Sequence, residues 1–261
     1  MIGQMNMINN LKKYSFLFGE LVHRDFTKKY KRTFFGMTWS IISPLINLLI
    51  MWFVFGNILG NNVNHFVIYL FSGQLVFAFF SEATSMGMTS LVNNSSIFAK
   101  VNIPKYLFLF SQNVTSLINF CLTMIVYFIF VAVEGIPFTW TFLALLFPIV
   151  FLIIFNLGIG LILSALFVFF RDMQYLWGII SQLIMWLSAI FYTLDMFDPA
   201  VQEAFFFNPI YLFIYYFRSI VLDGTVPTVD IHIRIIIASL LAFGIGSWMY
   251  KHYNTEFLYY I

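Results

Sequence analysis

Six apolar runs, each close to the length of a bilayer, alternate with short polar turns along this chain. A membrane-spanning helix needs about 20 apolar residues. The runs predict helices over roughly 37–58, 66–91, 106–132, 138–169, 174–193 and 231–250. Gly60-Asn61-Asn62-Val63-Asn64, Asn93-Asn94-Ser95-Ser96, Glu134-Gly135-Ile136-Pro137 and Arg171-Asp172 separate the first five. The run at 138–169 is long, so its first turns lie in the interface or the span is tilted. Residues 11–32 follow another pattern. Tyr14, Phe18, Leu21, Val22, Phe26 and Tyr30 recur at spacings of three and four, with Glu20, Arg24, Lys28 and Lys31 on another face. A basic helix with an aromatic face lies in the membrane interface plane. Glu20 precedes Arg24 by four, the favourable order for a helical ion pair.

Residues 195–224 do not fit the pattern. They are apolar and aromatic, yet Asp195, Asp198, Pro199 and Glu203 open the stretch, Asn208-Pro209 splits it, and Arg218 and Asp223 sit near its end. Its longest uncharged piece, 204–217, is too short to cross a bilayer. A polar break at membrane depth is tolerated only where protein or a water-filled cavity covers it. The stretch therefore reads as a re-entrant helical hairpin before the last span.

Composition agrees. The 261 residues are 61% hydrophobic and 9% charged, with mean hydropathy +0.90, whereas a soluble domain is about 25% charged. The expected fold class is an all-α polytopic membrane protein: six transmembrane helices, an N-terminal interface helix and the hairpin, in a single domain over 1–261. No cleaved signal peptide is expected. The lone Cys121, in an apolar run, excludes an intrachain disulfide and reads as a packed residue.

Charge sets the orientation. Lysine and arginine concentrate on the cytoplasmic side of short loops. With six spans, Lys12, Lys13, Arg24, Lys28, Lys29, Lys31, Arg32, Lys100, Lys105, Arg171 and Lys251 fall on one side, and Arg218 and Arg234 elsewhere. Glu134, Asp195, Asp198, Glu203, Asp223 and Asp230 fall on the other. Both termini are then cytoplasmic, and the hairpin starts and finishes outside.

Motifs for chemistry are missing. There is no phosphate loop of the G-x-x-x-x-G-K type, no His-Glu-x-x-His and no Gly-x-Ser-x-Gly elbow. Gly158-Ile159-Gly160 and Gly244-Ile245-Gly246 read as close helix packing. Glu82 is the one acid well inside a predicted span, where it costs roughly 2.5–3.5 kcal/mol unless it faces other helices or a cavity; it reads as a structural or gating residue.

Four blocks carry a resemblance. Arg24-Asp25-Phe26-x-x-Lys29-Tyr30 followed by Phe35-Gly36-x-x-Trp39-Ser40-x-x-x-Pro44-Leu45 resembles the start of the polysaccharide-export permeases of the ABC-2 type. Lys100-Val101-Asn102-Ile103-Pro104-Lys105 resembles that family's segment between spans two and three. Phe170-Arg171-Asp172-Met173-Gln174-Tyr175 resembles its marker between spans four and five. Asn208-Pro209-Ile210, Phe217-Arg218 and Gly224-x-x-Pro227 resemble the marker before its last span. The blocks keep their order along nearly the whole chain. Ser188-Ala189-Ile190 departs from the family, which usually has proline in the middle, so a softer helix break is expected there.

The resemblance implies a permease for a lipid-linked polysaccharide of the O-antigen, capsule or teichoic-acid type, carried on polyprenyl pyrophosphate. It implies the bacterial cytoplasmic membrane, a homodimer of this chain and a separate ATP-binding cassette subunit holding ATP and Mg²⁺, with no cofactor on this chain and no nucleic-acid partner. It places ATPase coupling at Ser95, Ile97, Lys100, Val101, Pro104 and Lys105, and an external gate at Asn208, Pro209 and Arg218. Arg24, Lys28, Lys29, Lys31 and Arg32 are candidates for contact with membrane lipid or the carrier's pyrophosphate, beside a purely topogenic role. Arg171 and Asp172 mark the cytoplasmic loop and read as a local ion pair. Two other readings stay open: an ABC-2 exporter of drugs or lipids, and an intramembrane glycan-processing enzyme using the external acids.

Overall fold

The computed structural model describes residues 14–31, 33–59, 64–98 and 103–260. Lys12, Lys13, Arg32, Lys100 and Val101 lie outside the described residues. Within them the chain is helical, with no strand. The elements are α1 (Ser15–Tyr30), α2 (Trp39–Leu59), α3 (Phe66–Asn93), α4 (Ser95–Phe98), α5 (Tyr106–Val133), α6 (Leu146–Phe169), α7 (Met173–Trp186), α8 (Pro199–Phe205), α9 (Pro209–Val221), α10 (Val229–His252) and α11 (Phe257–Tyr260). A 3-10 turn at Trp140–Leu145 precedes α6, which accounts for the long apolar run there.

Helix α3 is the most enclosed of the long apolar helices and packs on α5 and α6, while α6 packs on α10. Glycine lets the last pair touch. A Cβ added at Gly158 would stand 2.4 Å from the Ala242 carbonyl carbon and the Phe243 nitrogen, and one at Gly246 would stand 2.6 Å from the Gly158 oxygen. Gly244 faces open space, so only part of its glycine motif makes the contact. In α2, Pro44 has no N–H to give to the Ser40 carbonyl four residues earlier. The Thr123 hydroxyl donates to that carbonyl instead, at 3.4 Å.

Helices α6 and α10 run parallel. Phe147 and His232 meet near their starts (4.7 Å between ring centroids), and Phe169 and Tyr253 near their ends (5.4 Å). The intervening chain therefore makes one net crossing, as six spans require. Helix α7 makes it with only 14 residues, about 21 Å of helix against a hydrocarbon core of about 30 Å. The span expected over 174–193 is thus shorter, and helix stops at Trp186. The softer break expected at Ser188-Ala189-Ile190 is not found either: Ala189 adopts φ +48°, which costs a residue with a Cβ roughly 1–2 kcal/mol. Helices α8 and α9 follow, bent by 98°. Asp195 and Asp223, near the two limits of this stretch, line one cavity. The hairpin therefore starts and finishes at the same end of the bundle.

Candidate functional site

Polar chemistry gathers at the two ends of the bundle. At one end α1 lies along the first half of α5. Its apolar side chains do part of the work: Leu21 is buried in a cluster with Leu91, Leu107, Phe108 and Val168. Between them sits Asp25, 6% exposed. One carboxylate oxygen accepts from Arg24 Nε and Nη2 at 2.9 and 2.6 Å. The other accepts from Ser111 Oγ at 3.2 Å and Gln112 Nε2 at 2.8 Å. Arg24 also donates to Asn94 Oδ1 at 2.8 Å, and Asn94 Nδ2 caps the Ser90 carbonyl near the end of α3. One arginine thus joins α1 to the α3–α4 corner. The ion pair expected between Glu20 and Arg24 does not form, because Asp25 and Asn94 hold the guanidinium.

A second chain of bonds lies one turn on. Tyr30 Oη donates to Asn119 Oδ1 (2.7 Å), Asn119 Nδ2 donates to Glu82 Oε1 (2.7 Å), and Lys29 Nζ donates to the same oxygen (2.8 Å). Glu82, isolated in sequence, is therefore paired across three elements. These bonds border a cavity of about 490 Å³ walled by Trp39, Asn47, Gln74, Glu82, Asn119 and Thr123 among others. The buried Gln74 Oε1 has no hydrogen-bond partner among the described residues, while its Nε2 donates to the Pro44 carbonyl at 3.3 Å. A neighbouring cavity of about 410 Å³ is lined by Arg24, Lys28, Lys29, Asn94 and Gln112. Within the basic cluster Arg24 and Lys29 have carboxylate partners, whereas Lys28 and Lys31 are exposed.

The described coupling candidates lie at this same end. Ser95 and Ile97 form the short α4, and Ile97 packs against the cluster around Leu21. Pro104 and Lys105 introduce α5; the Lys105 ammonium donates to the Asn254 carbonyl beyond α10. Arg171 stands over the Phe167 ring at 5.3 Å and makes no ion pair with Asp172, which occupies the N-cap position of α7.

The other end is built on the break after α7. The carbonyls of Leu187, Ala189 and Ile190, just past the end of α7, have no helical partner, and two gate candidates supply donors to them. Asn208 Nδ2 donates to the Leu187 carbonyl and to Ser188 Oγ, both at 2.9 Å, while its Oδ1 accepts from Ile210 N and so caps α9. Pro209 takes the first turn of α9, where no N–H is needed. Arg218, 7% exposed, donates to the carbonyls of Ala189 (2.8 Å), Ile190 (3.2 Å) and Tyr69 (3.1 Å). Its guanidinium carbon lies 3.4 Å from the centroid of the Tyr69 ring. No carboxylate lies within 4.0 Å among the described residues. Tyr69 Oη completes the clamp by donating to the Tyr192 carbonyl at 2.6 Å. This site opens into a cavity of about 880 Å³ lined by Tyr69, Asp195, Tyr211, Tyr215, Arg218 and Asp223.

Sequence patterns brought out Arg24, Lys29, Glu82, Asn208 and Arg218, but not the groups that complete them. Gln112 and Asn119 look like ordinary polar residues in an apolar run, and Asn94 like part of a polar turn. For the first two, their place inside a predicted span was the available signal, since a buried amide needs a partner. Asp25 appears only as part of a motif.

A polytopic helical protein with an interface helix, a bent hairpin and polar clusters at both ends is the architecture on which the comparisons bear. The family model for ABC-2 type transporters matches residues 17–222, and the chain belongs to that family. It is 24% identical over 257 residues to the O-antigen export system permease protein RfbA of Myxococcus xanthus, covering 97% of this chain and 98% of that one. A Klebsiella pneumoniae protein of the same name is 26% identical over 206 residues, covering 78% and 79%. The polysialic acid transport protein KpsM of Escherichia coli is 23% identical over 204 residues, covering 77% and 79%.

Proposed function

We propose that this chain is the membrane permease of an ATP-driven polysaccharide exporter in a bacterial cytoplasmic membrane. The end-to-end similarity to the Myxococcus xanthus O-antigen permease carries this reading. The cargo is a glycan on a polyprenyl pyrophosphate carrier. Two copies of the chain work with two copies of an ATP-binding cassette subunit that holds ATP and Mg²⁺. Both termini face the cytoplasm, as the lysine and arginine distribution favours. The cavities beside α1 then open on the side where cargo is made. They offer the cations Arg24, Lys28 and Lys29 to a pyrophosphate, and amides with the Trp39 ring to sugar hydroxyls and faces. The hairpin caps the exit. Residues 95–105 receive the push of the ATPase.

The homodimer has candidate surfaces. Leu49, Ile50 and Phe53 on α2, and Leu176, Ile179 and Leu183 on α7, are exposed in the single chain, so lipid or a second copy must cover them. The test is a deletion strain. Loss of surface glycan with a polyprenyl-linked glycan accumulating inside supports the reading; normal surface glycan with a retained drug or simple lipid refutes it.

A further inference from the structure

A third cavity, at the interface-helix end, has a chemistry that neither cluster uses. It measures about 430 Å³ and lies between the start of α5 and the last turns of α10. Its described lining holds two lysines, Lys105 and Lys251, and no acid. Lys105 is buried. Its ammonium donates to the Asn254 carbonyl and stands 5.4 Å from the centroid of the Phe257 ring. Burial pushes its pKa below the ordinary lysine value, the direction expected where desolvation outweighs local compensation. Lys251, in the last turn of α10, is exposed. Phe110, Leu161 and Phe243, from three different helices, give the remaining wall an apolar stretch, beside which Ser247 and Asn254 add polar groups.

A basic rim joined to an apolar wall matches the two parts of a lipid. Basic pockets between membrane helices on the cytoplasmic side hold anionic headgroups, and this end carries most of the chain's lysine and arginine. We propose that the cavity binds one anionic glycerophospholipid of the inner leaflet, its phosphate between Lys105 and Lys251 and an acyl chain along Phe110, Leu161 and Phe243. The apolar wall favours a phospholipid over free phosphate, which would leave that wall uncovered. Such a lipid bridges the start of α5 to the end of α10, and does so independently of the cargo.

The test is native mass spectrometry of the full chain released from nanodiscs of equimolar phosphatidylglycerol and phosphatidylcholine. One phosphatidylglycerol per chain should be retained in preference to phosphatidylcholine. Lys251→Glu, on an exposed residue, should cut that retention roughly fivefold or more, since one lysine near an anionic surface contributes about that factor. Lys251→Arg should keep it, and Lys105→Gln should lower it. Excess inorganic phosphate should leave the adduct in place. Equal retention of the two lipids, a Lys251→Glu protein that retains phosphatidylglycerol fully, or displacement by inorganic phosphate would each overturn the proposal.

Discussion

At the interface-helix end Arg24 and Lys29 each meet a carboxylate; at the hairpin end Arg218, more deeply buried, meets carbonyls and a ring, and no carboxylate among the described residues. The Lys29–Glu82 pair joins α1 to α3 through charges that reach water, the two side chains being 35% and 26% exposed. Such pairs contribute little net stability and separate readily if water enters. At the hairpin end, the acceptors exist because α7 ends early and leaves Ala189 and Ile190 unbonded within the helix. The break needs the guanidinium, and the guanidinium is compensated by the carbonyls of the break together with the carbonyl and ring of Tyr69. One end is therefore suited to move α1, the other to hold a bent hairpin fixed.

The largest effect separating the ends is expected at Arg218. Arg218→Ala leaves several buried acceptors without donors, each costing about 1–3 kcal/mol, so a loss of about 4 kcal/mol is expected in unfolding monitored in nanodiscs. Arg218→Lys should recover only part of it, because an ammonium cannot fork across the three carbonyls. A stable Arg218→Ala protein would remove the rigid half of the contrast. Next comes the α6–α10 contact that spans both ends. Gly158→Ala places a methyl group 2.4 Å from backbone and should cost about 2 kcal/mol, whereas Gly244→Ala, facing open space, should stay within about 0.5 kcal/mol. Equal effects in the same assay would contradict the packing described.

Smaller changes probe the interface-helix end. Asp25→Ala removes the carboxylate from Gln112 Nε2 and the Arg24 guanidinium, while Ser111 Oγ keeps the Phe108 carbonyl, and should cost about 2 kcal/mol, with faster hydrogen exchange confined to α1. Glu82→Gln keeps an acceptor for Asn119 but loses the Lys29 charge, for about 1 kcal/mol or less. A double-mutant cycle with Lys29→Met should give a coupling of roughly 0.5 kcal/mol. Coupling as large as the Arg218 effect would mean that the two ends do not differ.

Most of the architecture was legible because bilayer thickness and lysine–arginine placement constrain it so strongly. The runs over 37–58, 66–91, 106–132 and 231–250 became α2, α3, α5 and α10. The limit of α7 was not legible. The residues 187–193 are as apolar as a helix continuation, and what stops them is a clamp assembled from Tyr69, Asn208 and Arg218, distant in sequence. For the same reason Arg218 could be marked by pattern while its role could not: its partners are backbone carbonyls, which no side-chain spacing records. Arg24 misled in the opposite way. Its helical spacing favoured Glu20, and the tertiary contacts of Asp25 and Asn94 prevailed.

The most direct test of the transport reading is ATP-dependent movement of a polyprenyl-pyrophosphate-linked glycan into inside-out vesicles carrying this chain with and without its ATP-binding subunit. Movement is expected only when both subunits and hydrolysable ATP are present. Equal glycan movement by this chain alone, or none with the complete pair, would contradict it.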